Sequence, residues 1–267
     1  MGRIFIACVG RRVIIVYDAK PPYNRLDDIE VKELEYPRDI AACSVSKSLY
    51  ISDKLNCCVW RVASDKPNTV CKLIGNVTEG MTLQVMSDGN ILLINELELV
   101  TYKPDGTRMS ALKLPEEIKE PVRAIEKSSK SFIVCYGMSP GIHKVCELSK
   151  AGNILREYGS SSGSETFQMD WPVYATMDQD GRLFVLDANN FRILLLDSKL
   201  RLQRVLLTRT EDKMEGALRI SYAPESGNLF IGTLMPGSKC GVYVYNIRNM
   251  TVGKLTENIK NFIYPQS

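Results

Sequence analysis

Gly137-Met138-Ser139-Pro140-Gly141 fits G-x-S-x-G, the pattern of a serine nucleophile carried on a strained strand-to-helix turn. His143, the single histidine of the chain, lies four residues beyond the serine. A working elbow needs a helix after the serine. Here proline follows it, and Ile142-His143-Lys144-Val145-Cys146 alternates as a strand does. The segment therefore reads as a loop between two strands. Zinc chemistry meets a similar obstacle. One histidine and the eight cysteines Cys8, Cys43, Cys57, Cys58, Cys71, Cys135, Cys146 and Cys240, none in C-x-x-C, give no tetrahedral ligand set. Cys57 and Cys58, if neighbours on a strand, point to opposite faces and are badly placed to bridge. One buried and one half-exposed thiol are expected there. No catalytic residue, metal ligand or cofactor is expected.

Asp53 and Asp187 could hold a cation, yet an aspartate at a turn more often caps its own backbone two residues on. Glu79, Glu120 and Asp170 are the periodic acids that precede candidate inner strands. Lys199, Arg201, Arg204 and Arg209 form the longest stretch of one sign. Clustered cations suit a phosphate backbone, but on an outermost strand they also discourage pairing with other chains. The second role is the expected one.

These residues need elements to position them. The 267 residues include 45% hydrophobic and 24% charged, which are globular values, with 34 Lys+Arg against 31 Asp+Glu for a net charge of +3. That balance excludes a strongly basic nucleic-acid binder. No apolar run reaches the 18 or so residues that span a bilayer, and no membrane partner is expected. Free cysteines within apolar runs fit a reduced, cytoplasmic protein. Apolar runs of five to seven residues alternate with Asp-, Asn- and Gly-bearing turns. Their centres, Phe5, Tyr50, Leu92, Ile133, Phe184 and Phe230, are spaced by 45, 42, 41, 51 and 46 residues. The longest spacing holds the insertion Gly159–Ser164. A period of about 40–50 residues indicates propeller blades. In the fifth repeat the four strands are predicted at Val173–Met177, Arg182–Leu186, Phe191–Leu196 and Leu200–Leu207.

Trp171-Pro172-Val173-Tyr174-Ala175-Thr176-Met177-Asp178-Gln179-Asp180-Gly181-Arg182-Leu183-Phe184-Val185-Leu186-Asp187-Ala188-Asn189-Asn190-Phe191 resembles an NHL repeat. So do Tyr36-Pro37 with Leu49-Tyr50-Ile51-Ser52-Asp53-Lys54-Leu55-Asn56. The shared element is D-x-x-N, as Asp53/Asn56 and Asp187/Asn190; Asn95-Glu96-Leu97-Glu98 in the third repeat lacks it. The resemblance implies an all-β, NHL/TolB-like six-bladed β-propeller over residues 1–267. It is similar to the C-terminal domain of tripartite-motif ubiquitin ligases, which recognise protein or RNA. Related propellers include lactonases and an amidating lyase.

The chain begins on a second strand at Arg3-Ile4-Phe5, and Tyr264-Pro265 falls where another first strand would start. One blade is therefore expected to lack its innermost strand, as in a piece of a longer polypeptide; closure by Asn261–Tyr264 is the alternative. The expected role is a non-catalytic binding module with a protein or peptide partner and no small-molecule substrate. An RNA-binding propeller and a metal-dependent, lactonase-like hydrolase are the alternatives. The resemblance places partners on the loops between second and third strands. Their charges alternate in sign, which suits a peptide better than a phosphate backbone. The candidate contacts are Arg11, Arg12, Asn56, Glu98 and Asn189.

Overall fold

The computed structural model describes residues 2–63, 69–78, 82–128, 130–137, 141–208, 216–235, 239–247 and 251–254. Every regular element among them is a strand. The first sheet comprises β1 (Arg3–Ala7), β2 (Val13–Asp18) and β3 (Ile29–Glu30). The second holds β4 (Pro37–Cys43), β5 (Ser48–Asp53), β6 (Cys58–Ala63) and β7 (Val70–Gly75). The third holds β8 (Leu83–Val85), β9 (Ile91–Asn95), β10 (Glu98–Tyr102) and β11 (Arg108–Lys113). The fourth holds β12 (Pro121–Ser128), β13 (Ser131–Tyr136), β14 (Ile142–Ser149) and β15 (Ile154–Ser161). The fifth holds β16 (Pro172–Met177), β17 (Leu183–Asp187), β18 (Arg192–Leu196) and β19 (Leu202–Leu207). The sixth holds β20 (Ala217–Ala223), β21 (Asn228–Met235), β22 (Lys239–Asn246) and β23 (Thr251–Lys254).

Strands within a sheet follow one another in chain order, and the recorded pairings are antiparallel, as in a six-bladed β-propeller. The first sheet has three strands among the described residues, and Asn261–Tyr264, the alternative closing strand, lie outside them. In the fifth sheet each strand lies within two residues of its predicted limits. The six repeat centres fall on β1, β5, β9, β13, β17 and β21.

The reason is visible in β5. A strand sends successive side chains to opposite faces. Leu49 and Ile51 join a core with Ile14, Val16 and Leu34, whereas Tyr50 joins another with Val59, Leu83 and Leu93. A strand with sheets on both faces has no solvent-facing position, and β5, β13 and β17 are buried throughout, with apolar centres and polar residues only toward their ends. At the other edge of the third sheet, β11 is almost wholly exposed. Pairing falls into two compact units, residues 1–129 with 150–152, and residues 130–149 with 153–267.

Candidate functional site

Each candidate contact lies on a loop that follows the second strand of a blade, or at the start of the strand after it. The geometry of these loops begins at the last residue of the second strand. Asp53 ends β5 and is fully buried. Its Oδ1 accepts the Tyr36 N–H and its Oδ2 the Glu35 N–H, each at 2.9 Å. Asn56 Nδ2 donates to Oδ2 at 2.9 Å and Trp60 Nε1 donates to it at 3.2 Å. Burial pushes the Asp53 carboxyl up, but the bonds from Asn56, Glu35, Tyr36 and Trp60 outweigh it and hold the group below the usual carboxylate range. Asp187 ends β17 in the same way. It accepts the Asp170 N–H, Asn190 Nδ2 at 2.8 Å and Arg192 Nε at 2.7 Å. Burial dominates here and raises the Asp187 carboxyl, with those donors acting the other way.

Neither aspartate caps the backbone two residues on, as sequence expected, although Asp53 accepts the Asn56 N–H of its own turn, three residues on, at 3.4 Å. Each clamps the segment that enters its own blade, 17 or 18 residues earlier. The expected capping occurs at other turns. Asp178 accepts the Asp180 N–H and Asp197 the Lys199 N–H. The third sheet uses the clamp as well. Asn95 Oδ1 accepts the Thr78 N–H at 3.0 Å and the Thr78 hydroxyl at 2.8 Å, again with a 17-residue offset. The third repeat keeps the strand pattern but lacks D-x-x-N, so its sequence does not announce this clamp. The offset of 17 from a strand-terminal Asp or Asn was the signal that could have found it.

In the first unit the clamps join into a bonded ledge. Val31 N–H donates to Arg12 O, Asn56 Nδ2 to Glu33 O, and Val77 N–H to Cys57 O. Asn95 then holds Thr78, and Leu114 N–H donates to Leu97 O at 2.8 Å. Arg12 is exposed and lies 3.9 Å from Glu35, an open ion pair of small energetic weight. Arg11 is half-buried. Both amide hydrogens of Asn56 are committed to Asp53 and Glu33, so its carbonyl oxygen is what it can offer a ligand. Glu98 accepts Arg108 Nη2 at 3.1 Å. Cys57 adopts φ 46° in the turn before β6, so it is not on a strand beside Cys58 as expected. It is exposed while Cys58 is buried, and burial pushes the Cys58 thiol up to about 11.

In the second unit Asn189 is exposed, with its Nδ2 donating to Asp170 Oδ1 at 3.0 Å. Arg192 donates to Ser164 O and Asn190 to Gly163 O, so the inserted loop is held at two carbonyls, and Arg192 also holds Gln168 O just beyond it. His143 is fully buried on β14, and its Nδ1 accepts the Trp171 N–H at 3.1 Å. A strand, not a helix, follows the G-x-S-x-G segment. A Cβ on Gly137 would lie 2.0 Å from Ile142 O, so this glycine serves close backbone approach. Met138, Ser139 and Pro140 lie outside the described residues, as do Glu79, Arg209 and Asn261–Tyr264. Arg201 is bound to Asp197 at 2.6 Å, so the basic stretch is partly neutralised by its own turn.

The sequence reading did not single out a buried pair on the first strands of three successive blades. Arg123 Nη1 on β12 donates to Asp39 Oδ2 on β4 at 2.8 Å and to Leu83 O on β8 at 2.9 Å. Asp39 also accepts the Leu83 N–H. Among the described residues, no three His, Cys, Asp or Glu side chains gather as a metal cage. Two residues 84 positions apart leave no local pattern to read.

No family model matches the sequence, and no curated protein matches it. Solved structures do. A chain of a nidogen/laminin complex superposes with a TM-score of 0.68 at 14% identity, over 94% of this chain and 90% of that one. A streptogramin B lyase gives 0.60 at 13% identity, over 86% and 69%. Virginiamycin B lyase from Staphylococcus aureus gives 0.57 at 13% identity, over 86% and 70%. At such identities a likeness speaks for architecture alone, and the architecture of this chain is that of a six-bladed β-propeller.

Proposed function

We propose that this chain is a non-catalytic, cytoplasmic binding module whose ligand is a protein or peptide. The observation that carries this reading is the bonded ledge of the first unit. Loops that vary freely are useful for recognition when a rigid scaffold fixes their position, and here the two clamps Asp53 and Asn95 and backbone bonds fix them. Arg11, Arg12, Asn56 and Glu98 project from that ledge with charges of both signs. Asn189 belongs to the equivalent loop end of the second unit. A chain of the nidogen/laminin complex, a protein assembly, shares the fold and supports this reading. Substrate recognition within a ubiquitin ligase is the finer form of it, resting on the NHL resemblance.

The test is retention of one partner from native lysate on the immobilised chain, with and without RNase. Arg11→Ala/Arg12→Ala is expected to weaken retention about tenfold with Tm unchanged. Retention that vanishes with RNase, or that survives this change and is lost on mutating Lys199, Arg201 and Arg204, overturns it.

A further inference from the structure

The two ring nitrogens of the buried His143 meet unlike surroundings. Nδ1 accepts the Trp171 N–H at 3.1 Å, so it carries no hydrogen of its own. A neutral imidazole then holds its one hydrogen on Nε2. Nε2 is buried with no hydrogen-bond partner among the described residues, and Asp170 Oδ1 lies 3.9 Å from it, beyond hydrogen-bond reach. That oxygen accepts Asn189 Nδ2 at 3.0 Å instead.

The segment facing the imidazole is strained. Trp171 adopts φ 62°, a left-handed conformation that is an outlier for a bulky side chain. Such a backbone persists only where its surroundings over-determine it. Here the Trp171 N–H is held by His143, its carbonyl accepts the Ala188 N–H, and its side chain packs against the core of the fifth and sixth sheets. The Asn189 N–H donates to Asp170 O. The turn that carries Asn189 therefore hangs on residues 170 and 171 by two backbone bonds and one side-chain bond.

The charges around the ring set what a proton does there. His143 pairs with Ser160 on β15 and shares a face with Tyr158, whose hydroxyl feels Arg192 and Asp187 of the fifth sheet. Lys144 and Glu157 are bonded to each other on the opposite face, with Tyr136 of β13. Further along β14, Glu147 is bonded by Arg156. Gly137, beside His143, brings no side chain, and Glu165 is exposed. Asp187 is matched by Arg192, so Asp170 is the carboxylate that faces Nε2. An imidazolium carries hydrogen on both nitrogens and accepts from no donor. Its Nδ1–H opposes the Trp171 N–H, while its Nε2–H gives a carboxylate a charge-assisted bond that a neutral amide cannot match.

We infer that His143 is a pH-sensitive latch on the loop that carries Asn189. When neutral, it holds Trp171 in the left-handed conformation and leaves Asp170 to Asn189. When protonated, it releases the Trp171 N–H and takes Asp170 from Asn189, which loosens the turn at residues 188–190. That Asn189 meets a partner rests on the binding reading above; the latch itself does not.

His143 is the single histidine and Trp171 one of two tryptophans, so ¹⁵N-labelling of histidine, tryptophan and asparagine reports the site by NMR. The whole chain, without ligand, is titrated from about pH 8 to about pH 5, the range in which histidine ordinarily changes charge. At the start the ring is expected to carry hydrogen on Nε2 alone. On acidification the Trp171 amide should shift with the midpoint of the ring, and the Trp60 amide should not. The Asn189 side-chain amide, identified as the signal lost in Asn189→Ser, should shift with it as well. Asp170→Asn keeps an acceptor for Asn189 but removes the charge, and is expected to weaken proton binding by His143 about tenfold. His143→Gln, whose carbonyl oxygen can still accept the Trp171 N–H, is expected to abolish the Trp171 shift. Should that variant not fold, the native and Asp170→Asn titrations decide the matter. Hydrogen on Nδ1 at the start, or a ring that stays neutral to the end of the titration or until the chain unfolds, overturns the inference. So does a Trp171 or Asn189 signal that ignores the midpoint of the ring, or an unchanged midpoint in Asp170→Asn. No partner is present in the titration, so its outcome is separate from the fate of the protein-binding reading.

Discussion

Replacing Asp53 with alanine removes the acceptor for three backbone N–H groups, a side-chain amide and an indole at once. A hydrogen bond to a charged group contributes roughly 1.5–3 kcal/mol net, and a buried donor left without a partner costs about 1–3 kcal/mol. The contributions are not additive, and water can reach the half-buried Asn56 and Tyr36, so the loss is about 4 kcal/mol rather than the sum. Asparagine keeps one acceptor oxygen and turns an NH2 toward donors. Asn95 shows that one amide oxygen can hold the equivalent segment unaided. Asp53→Asn is therefore expected to cost about half as much, ~2 kcal/mol. Trp60 reports directly, because its indole donates to Asp53. In a Trp171→Phe background it is the sole tryptophan, and urea unfolding followed by its fluorescence reads the first unit. With m near 2 kcal/mol per molar, the alanine midpoint falls by about 2 M. The folded carboxyl lies below its unfolded value, so its stabilisation is fully present above the unfolded pKa and is lost as pH falls through the folded one. The asparagine variant should accordingly show a flatter acid limb below about pH 4. A loss under about 1 kcal/mol for alanine, or equal losses for the two variants, refutes the clamp as the determinant of this loop.

Asp39→Ala strands the buried Arg123 guanidinium and is expected to cost about 3–5 kcal/mol, while Asp39→Leu/Arg123→Met restores most of the loss; urea unfolding of the three proteins decides whether the pair stabilises or only neutralises. In native protein, iodoacetamide at pH 8 should label Cys57 and Cys71 within minutes, and Cys58, Cys135 and Cys146 only after urea is added, since the thiolate is the reactive form. Mass spectrometry of tryptic peptides checks this, and Cys58 labelled as fast as Cys57 contradicts its burial.

The strands were legible because a propeller blade makes the simplest demand on sequence. Sheets on both faces of β5 and β17 require unbroken apolar runs, and the flanking turns require Asp, Asn or Gly. The turn at Cys57 was not legible, since nothing about cysteine announces a positive φ. The site was half legible. D-x-x-N located two clamps, but their role was misassigned, because a carboxylate that reaches back 17 residues looks locally like one that caps its own turn. Asn95 was missed because an amide replaces the carboxylate while the geometry stays the same. Arg123 and Asp39 meet only through the stacking of blades, which no spacing encodes.

The 17-residue reach of the clamps bears on how the chain acquires its shape. Closing a loop of that length costs about 2.5 kcal/mol of chain entropy beyond a constant, and each doubling adds only about 0.6 kcal/mol. Each sheet is also assembled from strands consecutive in the chain. Contact order is thus low for an all-β protein, where non-local pairing usually slows folding. During synthesis a clamp can form as soon as its second strand leaves the ribosome, before the next blade exists. The same locality explains how the fourth spacing absorbs its extra residues. The inserted loop leads from the fourth sheet to the fifth and hangs from Arg192 and Asn190 of the fifth, so neighbouring blades can diverge by duplication and insertion.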